Sequence, residues 1–256
     1  MLTMGALFTD FSHAAAAEEA SAGFTRRACA FLREHLAPGV AGLDDAGLAQ
    51  LVQTFSQEAQ TIGAAGAAHQ LRYMGAAVIW GQGFTSDPQY AAALARANWP
   101  RALPARPQRI DSALTALGPE IDLFERATGS DRANRARILA ALTDIANHDW
   151  RYEDSALLPR AVTHVWPARA RHLGEAELPA ITHAILYNLP GAGLERGEIA
   201  LLTMLAFAFG HGLCHDPALP WVAGALRADS GLRNAALLDG LSQHYADAIS
   251  AFLSFQ

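Results

Sequence analysis

The chain has 256 residues, about half of them apolar and 17% charged, a balance that excludes intrinsic disorder and permits a sizeable packed core. Its formal charge of −6 gives no global electrostatic drive toward nucleic acid or anionic lipid. Two cysteines, Cys29 and Cys214, are too few for a disulfide framework and suit a reducing compartment.

The start, Met1 to Ala17, lacks the basic region of a secretory signal, and Asp10 and His13 interrupt its apolar residues. The most apolar run, Ile199 to Gly210, falls short of the ~20 residues that a membrane-spanning helix needs. The expectation is a cytoplasmic protein with no stable membrane insertion.

Helical periodicity begins with Phe24, Ala28, Phe31 and Leu32, predicting a helix from about Glu18 to Leu36 that Pro38 and Gly39 break. Asp44 or Asp45 starts a second helix with an apolar face of Leu48, Leu51, Val52, Phe55, Ala59 and Ile62. A third runs from roughly Ala67 to Trp80, with Leu71, Met74 and Val78 inward, and a short one from Pro88 to about Asn98. Pro100, Pro104 and Pro107 punctuate a connector before a long helix over about Gln108 to Ala127. Ser130 or Asp131 can cap the next helix, which carries Ile138, Leu139, Leu142 and Ile145. No stretch alternates with period two for long enough to require a strand. The predicted class is all-α.

One pattern is written twice: Gly81-x-Gly83-Phe84-x-x-Asp87-Pro88 returns 129 residues later as Gly210-x-Gly212-Leu213-x-x-Asp216-Pro217. Glycine is suited to ending a helix, and Asp followed by Pro supplies the cap and first turn of the next. Phe84 or Leu213 then pins the turn to the core. Further landmarks keep nearly the same offset. His35-x-x-Pro38 matches His164-x-x-Pro167; Leu48 matches Leu178, Phe55 matches Ile185, Gly63 matches Gly193, and Phe124 pairs with Phe252. This ordered series predicts two tandem, diverged helical-bundle repeats packed around a pseudo-twofold axis. The expected division is an N-terminal arm (1–13), a first repeat (14–128), a connector and helix start (129–142) and a second repeat (143–256), all in one compact unit.

His211, Cys214, His215 and Asp216 are suitable ligand types for zinc or another transition metal, but Gly212 and the helix break separate them. The first copy has Gln82, Thr85, Ser86 and Asp87 in their places, so the shared Asp fits a helix cap in both. His35 and His164, each near a helix end before a proline, fit contacts with terminal carbonyls, with proton transfer as the alternative. Arginines gather at Arg96, Arg101, Arg106 and Arg109, and again at Arg126, Arg132, Arg135 and Arg137; either set could grip an acidic partner or form a solvated face. Trp99, Trp166 and Trp221 could anchor an interface or plug seams between helices. There is no Gly-x-Ser-x-Gly elbow, Cys-x-x-Cys or His-Glu-x-x-His motif, and no lysine to complete a phosphate-binding loop.

The string Phe31-Leu32-Arg33, Leu48-x-x-Leu51-Val52, Ala59-x-x-Ile62-Gly63, Leu71-Arg72-Tyr73-Met74 and the first repeated turn resembles small helical accessory proteins encoded beside effectors in bacterial type VI secretion clusters, near spike, PAAR and lipase-like genes. In those proteins a Gly-x-x-Phe-Asp-x-Asp-Pro turn is usually followed by Pro-Trp-Ala. The second copy is closer at that point, with Asp216-Pro217-Ala218-Leu219-Pro220-Trp221-Val222; the first has Gln89-Tyr90-Ala91. The resemblance covers roughly residues 24–94 and, more loosely, 180–226. It implies a noncatalytic adaptor, chaperone or immunity protein whose partner is a secreted effector or spike-associated protein, with no cofactor. The resemblance carries over no functional residues; the candidate interface, read from the arginine clusters and the tryptophans near loop breaks, comprises Arg96, Trp99, Arg101, Arg106, Arg109 and Trp221. The alternatives are a helical metal-binding protein or metalloenzyme using His211, Cys214 and His215, and a homodimeric scaffold.

Overall fold

The computed structural model describes residues 21–64, 66–99, 112–117, 132–151, 156–189 and 193–253. It is helical throughout, with no strand among the described residues. Residues 21–35 form α1. They are followed by α2 (Ala37–Val40), α3 (Asp45–Thr61) and α4 (Ala67–Trp80). Two 3₁₀ turns, Phe84–Ser86 and Pro88–Tyr90, lead into α5 (Ala91–Arg96); residues 112–117 form α6. The second half carries α7 (Arg132–Asn147), α8 (Leu158–Val165), α9 (Pro167–Leu173), α10 (Leu178–Asn188), α11 (Arg196–Phe209), α12 (Pro220–Leu226) and α13 (Arg233–Leu253).

Local chemistry sets these boundaries. Asp44 caps α3 by accepting from the Gly47 amide at 2.7 Å, and the expected apolar face from Leu48 to Ala59 is buried. Glu195 and Glu198 form a reciprocal capping box at the start of α11. Pro38 does more than break α1, because a one-turn helix restarts on it, just as α9 restarts on Pro167. The segment expected as a helix from Pro88 to Asn98 is shorter: a 3₁₀ turn precedes α5, and Asn98 leaves it at φ 53°. Of the long helix expected over 108–127, α6 lies within the described residues; Phe124 does not.

The core falls into two clusters. One gathers α1 to α6 around Leu51, Phe55, Tyr73, Met74, Phe84 and Tyr90, and takes in Ala218 from the second half. The other gathers α7 to α13 around α11, whose residues Ala200 to Phe209 are all buried. A helix apolar on every side belongs at such a centre. Helix α7 runs unbroken across position 142 and packs on α11 through Ile138 and Leu142, so this stretch contributes to the second cluster. Helix α13 packs on α7 and α12 and reaches back to α2, tying the halves together.

Candidate functional site

The two copies of the glycine turn meet face to face. Helices α4 and α11 both end on a glycine, Gly81 at φ 91°, ψ 158° and Gly210 at φ 87°, ψ 157°, a region of backbone space essentially reserved for glycine. A Cβ on Gly81 would lie 2.0 Å from the Phe209 carbonyl oxygen; one on Gly210 would lie 2.7 Å from that of Trp80. Gly212 is similarly close to Gln82, its Cβ falling 2.3 Å from the Gln82 carbonyl oxygen. These glycines therefore permit backbone-to-backbone approach between the halves as well as a helix stop.

Across that approach the aspartates are exchanged. Asp87 caps its own turn by accepting from the Gln89 amide at 2.9 Å, and its other oxygen accepts from the His211 amide at 2.7 Å. Asp216 accepts from the Ala218 amide in its own turn and the Gln82 amide in the other, both at 2.8 Å. Both carboxyls are buried. Phe84 and Leu213 are buried in opposite clusters, as the sequence pattern requires.

Polar groups surround this clasp. Glu58 of α3 accepts from the Tyr73 hydroxyl at 3.0 Å and from the Gln82 carboxamide. Burial pushes Asp216 up to about 7, against the opposing pull of its two amide donors, and the Glu58 charge adds to the rise. Burial likewise raises Tyr73, with Glu58 reinforcing it. On the other side Arg169 of α9, 1% exposed, donates through Nε to Gln89 Oε1 at 2.8 Å and lies over the Tyr90 ring. Gln89 in turn donates to the Ala206 carbonyl at 2.9 Å.

The three candidate metal ligands point to different places. The His211 ring sits beside Asp87, its Nδ1 at 3.2 Å from Oδ2 but off the line of a hydrogen bond. Cys214 is buried, its thiol pushed up to about 11, while His215 is exposed. Among the described residues, no three His, Cys, Asp or Glu side chains form a group able to hold a metal. The structure brings Asp87, His211 and Asp216 together through the backbone and leaves His215 outside.

The expected interface falls only in part within the described residues. Arg101, Arg106 and Arg109 lie outside the described residues, as does Arg126. Arg96 is exposed at the end of α5 and Trp99 is half-buried against the first cluster. Trp221 plugs a seam: its ring meets Phe209 edge to face, lies tilted beside His244 and rests on Gly240 of α13. Trp166 is buried outright. The carbonyls of His164 and Val165 accept from the Arg137 guanidinium at 3.2 and 3.0 Å, a role expected of the His164 side chain.

A feature outside the sequence expectations is an apolar groove of about 590 Å³ between α1, α4 and α6. Phe31, Leu36, Leu71 and Ile79 line it, and Gly75 and Ala76 form a low stretch between Leu71 and Ile79. Its ionisable lining residues, among those described, are His35 and Arg72. Trp80 at one end is 3% exposed, and its indole N–H has no acceptor among the described residues. The spacing Leu71–Gly75–Ile79, four residues apart on one helix face, was the sequence signal for this surface. A second cavity of about 700 Å³ lies between the start of α3 and the second turn, bordered by Asp44, Gly47, His215 and Arg227.

No family model, curated protein or solved structure matches this chain. No helix among the described residues is long and apolar enough to cross a membrane.

Proposed function

We propose that this chain is a noncatalytic binding protein whose partner is a secreted effector or spike-associated protein of a type VI secretion cluster, acting as adaptor, chaperone or immunity protein in the cytoplasm. The observation that carries the binding role is the groove along α4: apolar walls stand open to solvent on a well-packed helical body. Such a surface suits the docking of an apolar helix face. The secretion context rests on the resemblance of the repeated turn and its flanking helices.

The architecture behind this reading is a tandem duplication with pseudo-twofold symmetry. Its support is the pairing of like with like. Helices α4 and α11 have 14 residues each and end on glycines with nearly equal dihedrals. Gly63 and Gly193 both take positive φ, and the two aspartates make equivalent bonds in opposite directions.

The test is affinity capture with the tagged full chain in its own host, read by mass spectrometry. One effector or spike component should be recovered at stoichiometric yield, and rescue from that effector's toxicity then separates immunity from chaperoning. Recovery of no secreted-effector partner from cells producing the cluster overturns the proposal.

A further inference from the structure

We propose that the cleft between the start of α3 and the turn before α12 binds a small zwitterion, an amino acid or short peptide, with its ammonium toward Asp44 and its carboxylate toward Arg227 and His215. This site shares no residue with the α1–α4–α6 groove and stands independently of the effector reading. The cleft has a volume of about 700 Å³, within the ~300–1,000 Å³ of small-ligand sites. One wall comes from the first half, through Leu43, Asp44 and Gly47; the other comes from the second, through His215, Pro220 and Arg227.

Opposite charges border this space without meeting each other. Asp44 accepts the Gly47 amide through one oxygen at 2.7 Å, and its carboxylate pairs with no cation among the described residues. Its neighbour Asp45 is already paired with Arg33. Across the cleft, neither the Arg227 guanidinium nor the His215 imidazole makes a hydrogen bond or ion pair with a described residue. Asp216 also borders the cleft, but backbone amides occupy both of its oxygens. Asp247 of α13 strengthens the negative side, its Oδ2 lying 3.6 Å from the position of a Cβ on Gly42. Asp44, His215 and Arg227 are all exposed, so a ligand reaches them without rearranging the fold.

This arrangement selects the ligand by elimination. A plain anion would answer Arg227 and face Asp44; a plain cation would answer Asp44 and face Arg227. A molecule with one charge of each sign satisfies both walls, and a guanidinium can hold a carboxylate by two parallel bonds. Leu43, Pro217, Pro220 and Ala223 supply apolar lining between the charged ends, which suits a hydrocarbon side chain such as that of leucine.

Two substitutions separate charge from fold. Asp44→Asn removes the charge and keeps a side chain that caps helices equally well. Arg227→Gln removes the guanidinium from an exposed position at the end of α12. Isothermal titration calorimetry on the full chain would compare leucine with leucinamide, which lacks the carboxylate, and N-acetylleucine, which lacks the ammonium. Leucine should bind at least about tenfold tighter than either blocked form. Arg227→Gln should erase the preference over leucinamide, and Asp44→Asn the preference over N-acetylleucine, with circular dichroism spectra unchanged. Leucyl-leucine, whose charges can stand about 3.5 Å further apart, tests the span. Its tighter binding assigns the site to short peptides, and tighter binding of leucine assigns it to amino acids. Equal binding of leucine and its blocked forms overturns the inference, as does a preference that both substitutions leave intact. So does the absence of saturable binding by leucine and leucyl-leucine up to about 10 mM.

Discussion

Asp87 and Asp216 each complete the other's turn: Asp87 accepts the amide of His211, the residue after Gly210, and Asp216 accepts the amide of Gln82, the residue after Gly81. Asp87 also caps the 3₁₀ turn Pro88–Tyr90 in its own half, and Asp216 closes the turn before α12 in its own. The two strongest sequence landmarks are thus one structural object.

The glycines at that junction are the first place to test it. Gly81→Ala and Gly210→Ala each impose both a positive φ and a clash with a carbonyl of the opposite half, and each should cost at least about 2 kcal/mol. Gly224→Ala, in α12 with nothing within 4 Å of its new Cβ, should be neutral or stabilise by up to about 1 kcal/mol. Urea unfolding of the three variants decides; equal effects would mean that close approach does not govern the turn.

Asp216 should make stability pH-dependent in an unusual direction. Its folded pKa of about 7 lies above the ordinary aspartate value of 3.8, so between those values the folded state holds a proton that the unfolded state has released. Its contribution is therefore complete below about pH 4, falls as pH rises and is flat above about 7, spanning about 4 kcal/mol at most. Other carboxylates superimpose their own profiles, so the informative quantity is the difference between wild type and Asp216→Asn, measured by urea unfolding from pH 4 to 8. That difference should shift in favour of the variant as pH rises. A constant difference would show that the two amide donors outweigh burial.

Leu205, 1% exposed at the centre of α11, should tolerate no charge. Leu205→Ala should cost about 2–5 kcal/mol, and Leu205→Glu should abolish folding because it buries an unpaired ion. Circular dichroism and soluble yield report both outcomes.

Arg169 links α9 to the first turn through Gln89 and Tyr90. Arg169→Ala should cost about 3 kcal/mol, through a lost bond to a buried acceptor and lost packing on the Tyr90 ring. Gln89→Ala should also destabilise, and the double variant should cost less than the sum of the two, because the residues share one interaction. Thermal unfolding of the double-mutant cycle measures the coupling; strict additivity would exclude it.

Much of the helical framework was legible from spacing alone. The apolar face of α3, the all-round apolar character of α11 and the caps at Asp44 and Asp87 follow from short-range rules that operate within one or two turns, whereas the helix cap expected at Asp216 closes a turn instead, α12 starting after Leu219. The exchange between turns was not legible in the same way, because it joins residues 124 and 134 positions apart. The sequence did hold a hint: a simple helix stop needs one left-handed residue, yet both copies keep two glycines. Arg169 was missed for a different reason. In Pro167-Ala-Arg-Ala-Arg-His-Leu173, two alternating arginines suggest a wet face, but Arg169 is buried while Arg171 is exposed. Trp221 was ambiguous because an exposed anchor and a seam plug need the same side chain. The groove eluded analysis of single helices because its walls come from three.

The exchanged aspartates also bear on how the molecule is made. As a ribosome releases the first half, Asp87 has one of its two amide partners and Gln82 has no acceptor from the opposite turn. Both are completed only when residues 211–216 emerge. A chain that ends before those residues therefore leaves the Asp87 carboxylate half-served and the Gln82 amide without the acceptor that the full fold supplies.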